Sequence, residues 1–185
     1  MESQQSTISD KRQSNSQYRL FRQAVVAAQN STCPREKHGC IIAREGIVVS
    51  TGYNGSGPGD PHCDEVGCDE VESWPAVMKD KIWGKGTIHC ARTIHSEINA
   101  ITNAAILGVS IADRDWYITG VPCWGCARVI MRTSPRSIWL CTERGGVDAT
   151  TRHKRIDYIK HYGMLYVGYT VKGMVDRGIL REGEL

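Results

Sequence analysis

An α/β fold, with a sheet covered by helices, is predicted by three features of this 185-residue sequence. Two β-branched runs flank Arg44-Glu45-Gly46 and read as an opening hairpin. From Ser96 onward, helical periodicities alternate with short apolar runs, the order that lays helices over a sheet. The length suits one domain with a single substantial core.

Residues 1–16 (MESQQSTISDKRQSNS) hold little to bury and are expected to form a flexible polar tail. YRLFRQAVVAAQN, 18–30, spaces its apolar residues as a helix does. CIIAREGIVVSTGYNG, 40–55, is the hairpin, and GYNGSGPGDP, 52–61, is a turn-rich loop. Residues 62–90 mix Gly, Pro and charge without periodicity. A loop that long in a compact domain is usually functional or disordered. The segment from Ile94 to Leu107, carrying SEINAITNAAIL, is a helix closed by Gly108. DWYITG, 115–120, is a strand. Cys123–Thr133 is a helix opened by Pro122, and SIWLC, 137–141, is a strand. TRHKRIDYIKHYG, 151–163, is a helix ending at Gly163, and MLYVGYT, 164–170, is a last strand. The folded domain is therefore expected over 17–170. Residues 171–185 are a C-terminal extension without a clear pattern, available to pack on a partner.

The net charge of +3 is too small to argue for a nucleic-acid or membrane partner. No apolar run is long enough to cross a bilayer. The N-terminus lacks the apolar core of a signal peptide, so a cytoplasmic protein is expected. Eight cysteines are many for such a chain, and in a reducing compartment they suggest metal before cross-links. Cys40 leads into CIIA and Cys141 ends SIWLC, so both read as buried strand residues.

Two segments carry chemistry together. His95-Ser96-Glu97 opens one helix, and Pro122-Cys123-Trp124-Gly125-Cys126 opens another. A Cys-x-x-Cys at a helix N-terminus suits zinc, because the helix dipole and the metal both favour thiolate. Cys123, Cys126 and His95 leave the fourth position of a tetrahedral zinc open, as catalysis requires. Water there becomes acidic enough to lose a proton near neutral pH. Glu97 is close enough to take that proton and hand it to a substrate. Either half alone is weak, since Cys-x-x-Cys also serves structural zinc and redox sites. H-x-E followed by P-C-x-x-C is the signature of the zinc nucleobase deaminases.

The sequence resembles the deoxycytidylate (dCMP) deaminases, including their late-competence and phage-type members. The resemblance covers roughly Tyr18 to Tyr169. Its carriers are STCPR (31–35), GYNGS (52–56), His-Cys followed by Gly-Cys (62–68), HCARTIHSEINAI (89–101) and PCWGCARVI (122–130). It implies a cytidine deaminase-like three-layer α/β/α fold with a five-stranded mixed sheet. It implies a catalytic Zn2+, hydrolysis of the nucleotide dCMP to dUMP and ammonia for thymidylate synthesis, and a homo-oligomer, often a hexamer. His95, Cys123 and Cys126 match the zinc ligands and Glu97 the proton shuttle. Asn54 matches a residue that hydrogen-bonds the sugar, although an Asn-Gly pair also suits a simple turn. The backbone N–H of Ser96 would bind the base carbonyl. Arg92 suits the phosphate by its guanidinium geometry, or else is solvated. Val121 stands where an aromatic residue often lies against the base. Ser96 replaces a usual alanine, and His38-Gly39-Cys40 replaces Val-Gly-Ala.

Cys33, Cys63, Cys68 and Cys90 remain. Four thiolates would close a second, structural Zn2+ and pin the long loop, with His89 the alternative to Cys90 as fourth ligand. Some members of the resembled family carry a second zinc drawing on cysteines aligned with Cys33 and Cys63. The plain alternative is buried, unligated thiols. Other functions are a zinc deaminase of a modified dCMP or another cytosine nucleotide or nucleoside, and a non-catalytic zinc-binding module. The intact Glu97 argues against the last, since a structural zinc has no use for it. The run Arg152-His153-Lys154-Arg155 is short and reads as a solvated helix face, so no nucleic-acid partner is expected.

Overall fold

The computed structural model of the chain describes residues 8–72 and 88–184. Helix α1 (Ile8–Ala28) leads into the hairpin of β1 (Gly39–Arg44) and β2 (Ile47–Tyr53). Short pieces follow: β3 (Gly55–Ser56), α2 (Cys63–Val66), β4 (Glu70–Glu72), β5 (Ile88–Cys90) and β6 (Thr93–Ile94). Then come α3 (Ser96–Ile106), β7 (Asp115–Ile118), α4 (Trp124–Arg132) and β8 (Ser137–Cys141). The chain closes with α5 (Ala149–His161), β9 (Leu165–Tyr169) and α6 (Val171–Asp176).

The main sheet has five strands in the order β2-β1-β7-β8-β9. β1 runs antiparallel to both β2 and β7, whereas β7, β8 and β9 are mutually parallel. This is the mixed sheet expected, and helices α4 and α5 make the crossovers that parallel strands require.

Successive strand residues point to opposite faces, and the two cores show it. Ile41, Ala43, Tyr117, Cys141 and Tyr169 meet Phe21, Ala24 and Val25 of α1. Cys40, Ile42, Trp116, Ile118, Ile138 and Leu140 meet Ala100 of α3, Ile130 of α4 and Ile159 of α5. Both faces are thus covered, which gives three layers. Burying one such large side chain is worth roughly 1.5–3 kcal/mol.

Two glycines set how closely the helices approach the hairpin. A Cβ on Gly39 would lie 2.0 Å from the Ala24 carbonyl oxygen of α1, and one on Gly52 would lie 2.1 Å from the Ser96 carbonyl oxygen of α3. Only glycine fits between strand and helix backbone there. The second contact fixes the start of α3, where the chemistry lies.

The structure differs from expectation at both ends and in the long loop. Helix α1 begins at Ile8, not at Tyr18, so half of the expected polar tail is helical; residues 1–7 lie outside the described residues. Residues 171–180 are not left for a partner. They form α6 and a turn whose Met174, Ile179 and Leu180 are buried with α1. Within 62–90 the chain forms α2 and pairs β4 with β5, while residues 73–87 lie outside the described residues. No helix among the described residues is long and apolar enough to cross a membrane.

Candidate active site

Two helix N-termini converge beside the C-terminal end of β7. His95 is the N-cap of α3, and Cys123 is the N-cap of α4, where its sulfur accepts a hydrogen bond from the Cys126 amide at 3.4 Å. His95 Nδ1 stands 3.5 Å from Cys123 Sγ and 3.4 Å from Cys126 Sγ. Zinc bonds of usual length at tetrahedral angles put sulfur and nitrogen about 3.6 Å apart, so this triangle fits the metal.

The charge balance of the triangle points the same way. The His95 imidazole is pushed up to about 9, first by its hydrogen bond with Cys123, with Glu97 also favouring the cation and burial opposing it. The Cys123 thiol is drawn down to about 3 by its hydrogen bonds with Cys126 and His95 and by the imidazolium charge, against burial. Cys126 is pushed up by its hydrogen bond with Cys123 and by burial. Cys123 and His95 share a proton here, and zinc would take the place of that proton, since both groups bind a metal only when deprotonated.

Glu97 follows in the first turn of α3 and is 5% exposed. Its Oε2 accepts a hydrogen bond from Ser96 Oγ at 3.1 Å. Ser96 thus orients the carboxylate, a contact that alanine there would lack. His95, Ser96, Glu97 and Cys123 line one cleft with Val121 and Asn54, so these sequence-derived candidates come together. Asn54 is already engaged: its Oδ1 accepts from the His38 amide at 2.7 Å, and its Nδ2 donates to the Glu36 carbonyl at 2.8 Å. Each group keeps one further hydrogen-bonding site.

Arg92 is the exception. It is not among the residues lining the cleft, and its amide hydrogen-bonds the Cys90 sulfur. The arginines that do line the cleft are Arg35 and Arg155. Arg155 was read as part of a solvated face, yet it is 4% exposed. The available signal was its spacing: on α5 it lies beside Ile156 and one turn before Ile159, both buried, whereas His153 and Lys154 are exposed. Sequence reasoning also missed Glu36 and His38 on the cleft wall, joined at 3.1 Å between Glu36 Oε2 and His38 Nε2.

A second cysteine group adjoins the first. The sulfurs of Cys63, Cys68 and Cys90 all lie within 4.8 Å of one another. Cys63 and Cys90 are 3.6 Å apart, far beyond a disulfide and close to the ~3.8 Å edge of a zinc–thiolate tetrahedron. Burial pushes the Cys68 thiol up to about 11, and the charges of Cys90, Cys33 and Cys63 add to it. Cys90 is held down at about 6: burial opposes this, but hydrogen bonds from Thr93 and from the amides of Arg92 and Asp69 outweigh it. Cys33 is close enough to act on Cys68 and lines the cleft with Cys90, but its sulfur does not fall in the group within 4.8 Å, so the structure brings together three of the four expected cysteines.

Residues 14–142 match the family model described as the cytidine and deoxycytidylate deaminase zinc-binding region. ComE operon protein 2 of Bacillus subtilis is 33% identical over 117 residues, covering 63% of this chain and 54% of its own length. The chain therefore spans about half of that relative. Deoxycytidylate deaminase of Enterobacteria phage T2 is 28% identical over 143 residues, covering 64% of this chain and 75% of its own. Among solved structures, dCMP deaminase from the cyanophage S-TIM5, in complex with dCMP and dUMP, superimposes with a TM-score of 0.60 at 21% identity. That match covers 89% of this chain and 99% of the other, and it shows a shared fold.

Proposed function

The chain belongs to the cytidine and deoxycytidylate deaminase family, and on that premise we propose that it hydrolyses dCMP to dUMP and ammonia. The observation that carries this reading is the buried Glu97 beside an open set of two sulfurs and one imidazole nitrogen. Relatives named deoxycytidylate deaminase support the choice of nucleotide.

His95, Cys123 and Cys126 would hold the zinc. When bound, zinc supplies a water that gives up a proton near neutral pH. Glu97 takes that proton at its carboxylate and passes it to the ring nitrogen next to the amino-bearing carbon, to which the water oxygen adds. A second proton from the same water then passes through Glu97 to the amino group, which leaves as ammonia. Ser96 would contribute twice: its hydroxyl holds the Glu97 carboxylate, and its amide, at the start of α3, would donate to the base carbonyl. Asn54 has hydrogen-bonding capacity left for the sugar, and Val121 offers an apolar wall to the base.

Cys63, Cys68 and Cys90, with Cys33 as the fourth ligand, are read as a structural zinc site that braces the cleft wall. None of the eight cysteines forms a disulfide, which suits a reducing, cytoplasmic setting. Assembly into a homo-oligomer has apolar surface available at Ile106 and Leu107, 76% and 70% exposed.

A substrate panel tests the reading. Zinc-loaded protein is offered dCMP, 5-substituted dCMP, dCTP, CMP and deoxycytidine, and ammonia is measured. The expected result is fastest release from dCMP. Release from deoxycytidine alone, or from dCTP alone, would overturn the assignment.

A further inference from the structure

Arg155 of α5 is a buried arginine on the wall of the cleft. It is 4% exposed, and its Nε has no hydrogen-bond partner. Its one hydrogen bond is long, from Nη1 to the Gly145 carbonyl at 3.5 Å. Among the described residues no carboxylate forms an ion pair with it, although it lines the active cleft. Arg35, the other arginine there, is 43% exposed and faces Glu70 at 3.7 Å. Arg144 is already bonded to Glu36.

An unpaired buried charge is strongly unfavourable, and a fold keeps one where something else completes it. The sulfurs of Cys123 and Cys126 and the carboxylates of Asp148 and Glu97 lie within electrostatic reach. The effect of the two sulfurs would not persist in a zinc-loaded site. Two thiolates and one zinc dication would cancel, Asp148 is exposed with both its oxygens on Thr151, and Glu97 accepts from Ser96, so none of these groups hydrogen-bonds the guanidinium. Burial meanwhile disfavours the charged guanidinium. The cleft therefore has a place for one more anion, beside a planar group with unused N–H donors.

We propose that Arg155 is a specificity-determining residue that binds the anionic phosphate of the nucleotide, so that monophosphate is preferred over free nucleoside. This rests on the proposed reaction for the identity of the anion. The guanidinium offers Nε–H and an Nη–H side by side, the pair that grips two phosphate oxygens at once. It sits on α5, a rigid helix, so the grip is preset.

The test uses the full-length, zinc-loaded protein and two variants, Arg155→Met and Arg155→Lys, with near-UV circular dichroism to establish folding. Binding of inorganic phosphate is measured by calorimetry, and KM and kcat are measured for dCMP and deoxycytidine. In Arg155→Met, phosphate binding is expected to weaken roughly tenfold to a hundredfold, as for loss of a charge-assisted hydrogen bond. KM for dCMP is expected to rise by a similar factor, while kcat falls much less. Arg155→Lys keeps the charge but not the fork and should fall between. If Arg155→Met does not fold, the lysine variant alone decides, through its phosphate affinity. Unchanged phosphate affinity, or an unchanged ratio of dCMP to deoxycytidine, overturns the proposal. Should the wild type bind phosphate through Arg155 yet release no ammonia from dCMP, the anion site stands and the substrate reading falls.

Discussion

Gly52 of β2 packs against the carbonyl oxygen of Ser96: a Cβ at Gly52 would lie 2.1 Å from that oxygen and 2.4 Å from the Ala100 amide. The hairpin therefore sets the height of α3 over the sheet, and with it the position of His95 and Glu97. Gly52→Ala must push α3 outward. A loss of about 1–3 kcal/mol is expected from the overpacking. Ammonia release should fall more than stability does, because a small displacement of a proton-transfer group is costly. Denaturant melts and steady-state rates on one preparation check both. An alanine variant with normal stability and rate would show that α3 is not held by this contact.

The two motifs of the candidate site were legible because their chemistry is local. Cys-x-x-Cys and His-x-Glu each place their groups within one helical turn, so spacing alone brings the atoms near each other. The strands were legible as short apolar runs around Ile41, Tyr117 and Leu140, and the mixed order of the sheet only through the family resemblance. What was not legible depends on partners distant in sequence. VKGMVDRGIL mixes glycine and charge, and only the fold shows that Met174, Ile179 and Leu180 share the α1 face. Arg155 lies in a basic run, and its burial depends on the sheet beneath α5. The early start of α1 carries no apolar periodicity, so nothing in ISDKRQSNS announces it.

Glu36 gives a pH signature. Burial alone would raise its carboxyl, but the hydrogen bond and charge of His38, the charge of Arg144 and the Gly145 amide hold it down at about 2, from an ordinary 4.5. A depressed carboxylate stabilises the fold fully above its unfolded value and loses that contribution as pH falls through its folded value. Glu36→Gln should therefore be less stable than wild type at pH 5, by about 1–3 kcal/mol. The gap should narrow between pH 5 and pH 2. Parallel stability curves for the two proteins across that interval would count against the network.

The second cysteine group separates from the first by metal counting. Wild type is expected to bind about two zinc ions per chain. Cys63→Ser should bind about one, melt at a lower temperature, and keep metal at His95, Cys123 and Cys126. One zinc in the wild type would make Cys63, Cys68 and Cys90 a cluster of unligated thiols.

The most direct test of the central claim is Glu97→Gln with dCMP, measuring zinc content and ammonia release on the same sample. Glu97 is proposed to move protons and does not belong to the set of metal ligands. The amide should leave zinc bound and lower turnover by roughly 10²-fold or more, the usual contribution of a positioned acid–base group. Normal ammonia release from the zinc-loaded variant would contradict the mechanism.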